Sequence, residues 1–234
     1  VQEIADSLLT TRSETHSERG LKGIFIKNPV NEDAALWLGN IERLEKTGIP
    51  VMAIHRGCAH KPCWAMAHHI RTQRPDIPIL LDPSHMTGDA TKIPALMKKI
   101  DELRLDGAMI EVHYNPQEAL SDGRQQIKPE EVGEAYPYPL PKGKGKNTGS
   151  QELAWLRAEI DELDDQLWET IVRRMEVSER IGEWKKEHGV QAQPQRYAEI
   201  IAQREEWAEQ KGLSKELVQN LFDAIHQESL KKQK

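Results

Sequence analysis

Two cations on one apolar stripe, with a third near its start, are the first residues in this 234-residue chain whose spacing points to chemistry. From Gln151 to about His188, apolar residues recur at Leu153, Leu156, Ile160, Leu163, Leu167 and Ile171. These steps of three and four trace one face of a long helix. The same rhythm then reaches Arg174, Ser178, Ile181 and Lys185, so two cations fall where buried apolar groups are due. A bundle helix that turns charge inward is either destabilised or holds something anionic. Arg174 and Lys185 stand three turns apart, roughly 16 Å along the helix. Two long side chains leaning together over that gap grip one small dianion. Arg157 lies roughly 25 Å before Arg174 and reaches the same ligand only from a second, antiparallel copy, which predicts a dimer with shared sites. The alternative is that Arg174 and Lys185 snorkel to solvent from a bundle edge.

A second group of reactive residues comes earlier. Lys27, His55 with Arg56, Asp82 with His85, and Glu111 with His113 each sit where a strand-like run ends. In parallel α/β folds the carboxyl ends of the strands form the active face, so four strands in succession deliver charged groups to one site. Lys27 and Arg56 make a cationic patch for phosphate or carboxylate. His85, Glu111 and Asp122 offer one imidazole and two carboxylates, a set suited to a divalent ion such as Mn²⁺. His113 has two readings, a partner behind the ligands or a solvated strand-end histidine.

The elements that must position these groups follow from periodicity and punctuation. Before residue 135, helices at Val1–Leu9, Asn31–Lys46 (Asn31 as cap), Trp64–Gln73 and Ile93–Leu103 alternate with strands at Gly23–Lys27, Pro50–His55, Ile77–Leu81 and Gly107–His113. Such alternation predicts a parallel sheet, open or closed into a barrel. The stretch 135–150, AYPYPLPKGKGKNTGS, opens with three prolines in five residues and continues as a Gly/Lys tether, the composition of a linker. It divides the chain into a βα region, 1–134, and a helical region, 151–234. After the long helix come a second at Arg196–Lys211, with Tyr197, Ile200, Ile201 and Ala208 inward, and a third capped by Ser214. The third presents Leu217, Leu221, Phe222, Ile225 and Ser229 on one face. More apolar seam than one copy covers points to an intertwined dimer.

Composition narrows the function classes. The chain is 30% charged and 38% hydrophobic with a net charge of -6, which predicts a soluble globular protein without a nucleic-acid footprint. No apolar stretch approaches the roughly 20 residues of a membrane span. Two cysteines are too few for a disulfide framework, and a cytoplasmic protein is expected.

The run LRxxID–LDxxL–RMxxSxxIGxxK in the long helix closely resembles the first helix of the all-helical chorismate mutases. The resemblance extends over QPQRYAEI and LFDAIHQESLKKQ to the end of the chain. It implies the rearrangement of chorismate to prephenate at a site shared between two copies. Arg157 from the partner, Arg174, Lys185 and Gln233 carry the catalysis, and Arg196 and Ser229 bind substrate. The reaction is pericyclic and needs no acid, base or nucleophile. Arginines clamp the two carboxylates, while Lys185 and Gln233 donate to the breaking ether oxygen where charge develops. Tyr197 stands where such enzymes often carry an acidic residue that contacts the substrate hydroxyl.

The motifs IKNPVN, AIHRG, DPSHMTGD and IEVHYNPQEALSDGRQQ are very similar to those of the 3-deoxy-arabino-heptulosonate-7-phosphate (DAHP) synthases. That family forms a (β/α)₈ barrel and condenses phosphoenolpyruvate with erythrose 4-phosphate. The resemblance implies that Lys27 and Arg56 hold phosphoenolpyruvate and that His85, Glu111 and Asp122 bind a divalent metal, Mn²⁺ or similar. It also implies a bifunctional enzyme of aromatic amino acid biosynthesis, of a kind whose two halves can be coupled allosterically. The match covers only four βα units, the C-terminal half of a barrel. The early strands, with the family's metal-binding cysteine and its Lys-Pro-Arg segment, have no counterpart here. Two alternatives therefore stand beside the bifunctional reading. One is an active mutase with an incompetent, regulatory or fragmentary synthase half; the other is a helical dimerisation module whose cations are structural.

Overall fold

The computed structural model describes residues 1–14, 21–135, 149–190 and 194–233. The tether expected at 135–150 falls almost wholly outside them. Helix α1 spans Gln2–Glu14, strand β1 Ile24–Lys27, helix α2 Ala34–Glu45 and strand β2 Val51–His55. Helix α3 (Trp64–Gln73), strand β3 (Ile79–Leu81), the short α4 (Pro83–Thr87) and helix α5 (Ile93–Glu102) follow. Strand β4 is only Gly107–Ala108, and α6 is Glu131–Ala135. The helical region contributes α7 (Gly149–His188), α8 (Pro194–Gln210) and α9 (Lys215–Lys232). No helix among the described residues is long and apolar enough to cross a membrane.

The four strands are parallel and lie in chain order, β1-β2-β3-β4, with Ile24 opposite Val51, Ala53 opposite Ile79 and Leu80 opposite Gly107. Crossovers of one hand between strands added in one direction place every connecting helix on one face. In keeping with this, α1 packs on α2 and α2 on α3. That is the arrangement of a barrel wall rather than of a doubly wound sheet, whose order reverses midway. β2, the run VMAIH, is buried at nearly every position, as a parallel strand covered on both faces must be.

Several expectations shift at the ends of elements. Asp33, not Asn31, caps α2: its carboxylate accepts from Leu36 N at 2.8 Å, the usual task of an N-cap. β4 stops after two residues instead of running to His113, although Val112 still bridges to Ile127. The DPSHMTG motif forms the unforeseen α4, with Asp82 as cap, Pro83 in the first turn and Gly88 closing it in the left-handed region. Ser214 caps α9 as expected, accepting from Leu217 N at 3.2 Å.

The chain divides into two compact units, Val1–Glu162 and Leu163–Lys234, so the boundary runs through α7. In the first unit the opening turns of α7 belong to the βα core. Trp155 is wholly buried, stacked face to face on His68 (centroids 5.5 Å, interplanar 3°) and edge-on to Trp64. His68 lies between two carboxylates, Glu159 at 2.6 Å and Glu152 at 3.1 Å. Glu162 completes the seat. Cys63, at the N-cap of α3, has a left-handed backbone and offers no capping bond of its own. The Glu162 carboxylate instead accepts from Cys63 N at 2.9 Å and Trp64 N at 3.0 Å, a negative charge on a helix N-terminus.

In the second unit the buried side of α7 runs through Met175, Ser178 and Gly182. The seam read from sequence as the buried one is open in the single chain: Leu163 and Leu167 are 62% and 46% exposed. α9 buries Val218 and Ser229, while Leu217 is exposed. α8 buries Ala208 completely.

Candidate functional sites

At the carboxyl ends of the strands, Lys27, Asp82, His85 and Glu111 meet. Asp82 is almost fully buried, because it caps α4 by accepting from His85 N at 3.0 Å. Lys27 Nζ donates to its Oδ2 at 2.8 Å and lies 3.4 Å from His85 Nδ1. On its other side His85 Nε2 is 3.4 Å from Glu111 Oε1, and Gln125 Nε2 donates to Glu111 Oε2 at 2.7 Å. Arg56 leaves β2 one residue past its end, its backbone N–H donating to Asn28 Oδ1 at 2.7 Å. Asn28 in turn donates to the Gly57 carbonyl at 3.0 Å, so both loops after β1 and β2 are tied by one buried amide.

The proposed ligand triplet is brought together only in part. His85 and Glu111 face each other, whereas Asp122 sits in a left-handed conformation at the start of a 3₁₀ turn, Gly123–Gln125. Among the described residues no group of three or more His, Cys, Asp or Glu side chains is gathered as a metal set. An ammonium, that of Lys27, already lies beside the Asp82–His85 pair. The donors present therefore do not fit a metal by themselves. Cys58 and Cys63 are buried free thiols after β2 and supply no ligand here.

His55 departs from its expected place. It is wholly buried, between Trp37 (5.9 Å, 23°) and Trp64 (5.6 Å, 49°). Burial pushes its pKa down to about 4, so it is a neutral core residue. His113 lies in a local turn, accepting from Asn115 N at 3.0 Å.

The second site lies between α7 and α9. Arg174 Nη1 donates to Ser229 Oγ at 2.5 Å, and Ser178 Oγ lies 3.2 Å from the same oxygen. Lys185 Nζ donates to Gln233 Oε1 at 3.4 Å. Both inward cations thus meet polar partners at the end of α9. Gly182 makes the approach possible: a Cβ there would stand 2.7 Å from Gln233 Cα, so the end of α9 closes on α7 only over a glycine. Its place in the Ile-Gly-x-x-Lys run was legible, its steric duty was not. Arg196 is in the first turn of α8, its side chain outside the described residues. Beside it, Tyr197 donates its hydroxyl to Asp223 Oδ1 and stacks on His226 (centroids 3.9 Å, 18°). Arg157 is exposed on α7 in the first unit.

Residues 156–234 match the family described as chorismate mutase type II, and residues 63–138 the DAHP synthetase I family. The chain is 38% identical over 79 residues to the 4-amino-4-deoxychorismate mutase of Streptomyces venezuelae, covering 33% of this chain and 77% of that protein. It is 31% identical over 86 residues to the protein of the same name from Streptomyces pristinaespiralis, covering 36% and 67%. Among solved structures, the DAHP synthase of Thermotoga maritima aligns with a TM-score of 0.45 at 25% identity, covering 48% of this chain and 35% of that one. A truncated form of the same synthase gives 0.47 at 23%, covering 57% and 52%. The chain therefore spans about a third to a half of these synthase chains.

Proposed function

We infer that this chain, which belongs through residues 156–234 to the type II chorismate mutases, converts chorismate to prephenate and carries beside that activity part of a DAHP synthase. The observation that carries the reading is the paired contact of α7 with α9, Arg174 to Ser229 and Lys185 to Gln233. It holds two cations and two neutral polar groups on facing helices, which suits a dicarboxylate folded over its own ether. Arg174 and Arg196 bind carboxylate, Ser229 orients Arg174, and Lys185 and Gln233 donate to the ether oxygen as it gains charge. The partner copy's Arg157 completes the clamp in a homodimer closed over the exposed seam of α7. An open apolar stripe of that length on a helix calls for a partner surface.

In the N-terminal half, Lys27 and Arg56 bind phosphoenolpyruvate, and erythrose 4-phosphate is the second substrate. The side chains His85, Glu111 and Asp122, expected to take a divalent ion such as Mn²⁺, do not gather as a metal set among the described residues. No step is assigned to the ion. The functional division is 1–134 and 151–234 about the linker 135–150, with the two family matches falling chiefly on either side. A cytoplasmic location goes with the two buried free thiols. A second reading of the mutase site comes from the relatives' name: their substrate differs from chorismate in the ring substituent at one carbon.

The test is substrate loss by the full chain, with chorismate and 4-amino-4-deoxychorismate run in parallel, and phosphoenolpyruvate with erythrose 4-phosphate and Mn²⁺ run separately. Chorismate consumption supports the mutase reading, and no loss of either dicarboxylate sinks it. Consumption of phosphoenolpyruvate means the barrel is completed; its absence leaves the N-terminal half a regulatory or partial unit.

A further inference from the structure

Cys58, Cys63 and Met66 take no part in either site above, yet their sulfurs are gathered in the core of the first unit. Cys58 Sγ lies 3.2 Å from Met66 Sδ, and the Cys58 and Cys63 thiols hydrogen-bond to each other. All three side chains are buried, and both thiols are free. The run GCAHKPCWAM that carries them leaves β2 as a tight turn, with Cys58 and Lys61 bridged backbone to backbone, and enters α3 at Trp64. We propose that these sulfurs form a binding site for one monovalent soft cation, Cu(I), held by two thiolates and a thioether. The site shares no side chain with the strand-end group of Lys27, Asp82, His85 and Glu111.

The donor atoms select the ion. Thiolate and thioether sulfur favour Cu(I), whereas carboxylate and carbonyl oxygen suit Mg²⁺ and Mn²⁺. Structural zinc takes a closed tetrahedron of four donors, and sulfur supplies three here. At a metal–sulfur distance of about 2.3 Å, two sulfurs on one ion stand at most about 4.6 Å apart. The Cys58–Met66 pair lies inside that limit. Binding forms one copper–sulfur bond to each cysteine and releases both thiol protons to solvent, with no change of oxidation state. The one negative charge left over is offset by the Arg56 charge acting on Cys58. Glu32, which accepts from the Cys63 thiol at 3.5 Å, is exposed and turns to water when that proton leaves. Burial, ahead of every other cause, pushes both thiols above their ordinary value. Few thiolates are then present to attack as nucleophiles, which disfavours a disulfide switch, while a bound metal supplies the energy that displaces the protons. The backbone points the same way. Ala59, His60 and Cys63 are all left-handed (φ 48°, 63° and 49°), a costly conformation for side chains with a Cβ and one found at ligand clamps. Ala59 and His60, at the tip of the turn, are exposed, which leaves the sulfurs one turn below solvent.

Anaerobic titration of the reduced full chain with Cu(I), in competition with the chelator bathocuproine disulfonate, tests this. One ion per chain is expected to be held against the chelator, with new near-ultraviolet thiolate-to-copper absorption and a raised urea midpoint for the first unit. Cys58→Ser and Cys63→Ser are each expected to raise the Kd about a hundredfold, and Met66→Leu, which nearly conserves volume, about tenfold. Copper X-ray absorption of the loaded wild type needs no variant to fold and is expected to show three sulfur neighbours. Loss of all copper to the chelator overturns the site, as does equal binding by any folded variant. Nitrogen or oxygen neighbours, or two sulfurs alone, overturn it too. A chain that binds no copper and instead closes a Cys58–Cys63 disulfide in air replaces it with a redox pair.

Discussion

Arg174 is held by a neutral hydroxyl rather than by a carboxylate, which leaves its charge for a ligand. Arg174→Ala is expected to lower kcat/KM for chorismate at least a hundredfold, the loss of a charge-assisted contact of about 3 kcal/mol. Gly182→Ala places a methyl 2.7 Å from Gln233 Cα and must push the end of α9 away from Lys185. A tenfold fall in kcat with about 1–3 kcal/mol of lost stability is expected, read by kinetics and urea titration together. His55 yields a prediction about pH. Its folded pKa is about 4 against an ordinary value near 6.5, so the unfolded chain binds the extra proton. The stability held by neutral His55 is complete above about pH 6.5, is lost progressively down to about pH 4, and changes no further below that. The full loss is on the order of 3 kcal/mol. Urea midpoints of the first unit measured across this window should fall for the wild type and stay flat at this step in His55→Phe. Arg174 and Lys185 were legible because both lie on a helical period. The burial of His55 was not, because a histidine that ends a strand looks the same whether its ring turns to solvent or between two tryptophans.

Among the elements, α7 does two jobs. Its opening turns are core of the first unit, and its later turns face α9 in the second. The amphipathic pattern announced the helix and its length within two residues. It did not announce that Trp155, off the main seam, would be the most deeply buried residue of the opening turns. Trp155→Ala should cost about 3–5 kcal/mol, the range for a large aromatic in a core. Glu162→Ala removes the distant cap of α3 and should cost about 1 kcal/mol. Both are read from the transition of the first unit in denaturant, which is expected to move without change in the helix content of α8 and α9. Capping is usually found by looking three residues along the chain. Here the carboxylate comes from 99 residues away, so no local motif reveals it.

At the scale of the molecule, two surfaces ask for partners. One is the seam of α7, exposed at Leu163 and Leu167. If it closes on a second copy with sites shared, Arg157→Ala and Arg174→Ala chains, each inactive alone, should regain up to about a quarter of wild-type activity when co-refolded, the share of sites built from intact residues. No recovery sinks the shared site. The other surface is the sheet. Phe25, on the face opposite Ile24 and Ile26, is 54% exposed, and β1 and β4 each have one unpaired edge among the described residues. The exposure of Phe25 is confined to the edge strand β1, where a partner surface would cover it.

The sequence by itself determined the two textures, the strand order's building blocks, the long helix and the cations set on its stripe. All of these rest on periodicity and on neighbours a few residues apart. The tertiary structure alone decided which strand-end groups converge, that Asp122 stays apart from His85 and Glu111, and that Glu162 caps α3. It also decided that Tyr197 finds Asp223 and His226. Each of these is a meeting of side chains far apart along the chain, set by how helices and strands pack, and packing leaves no local period to read.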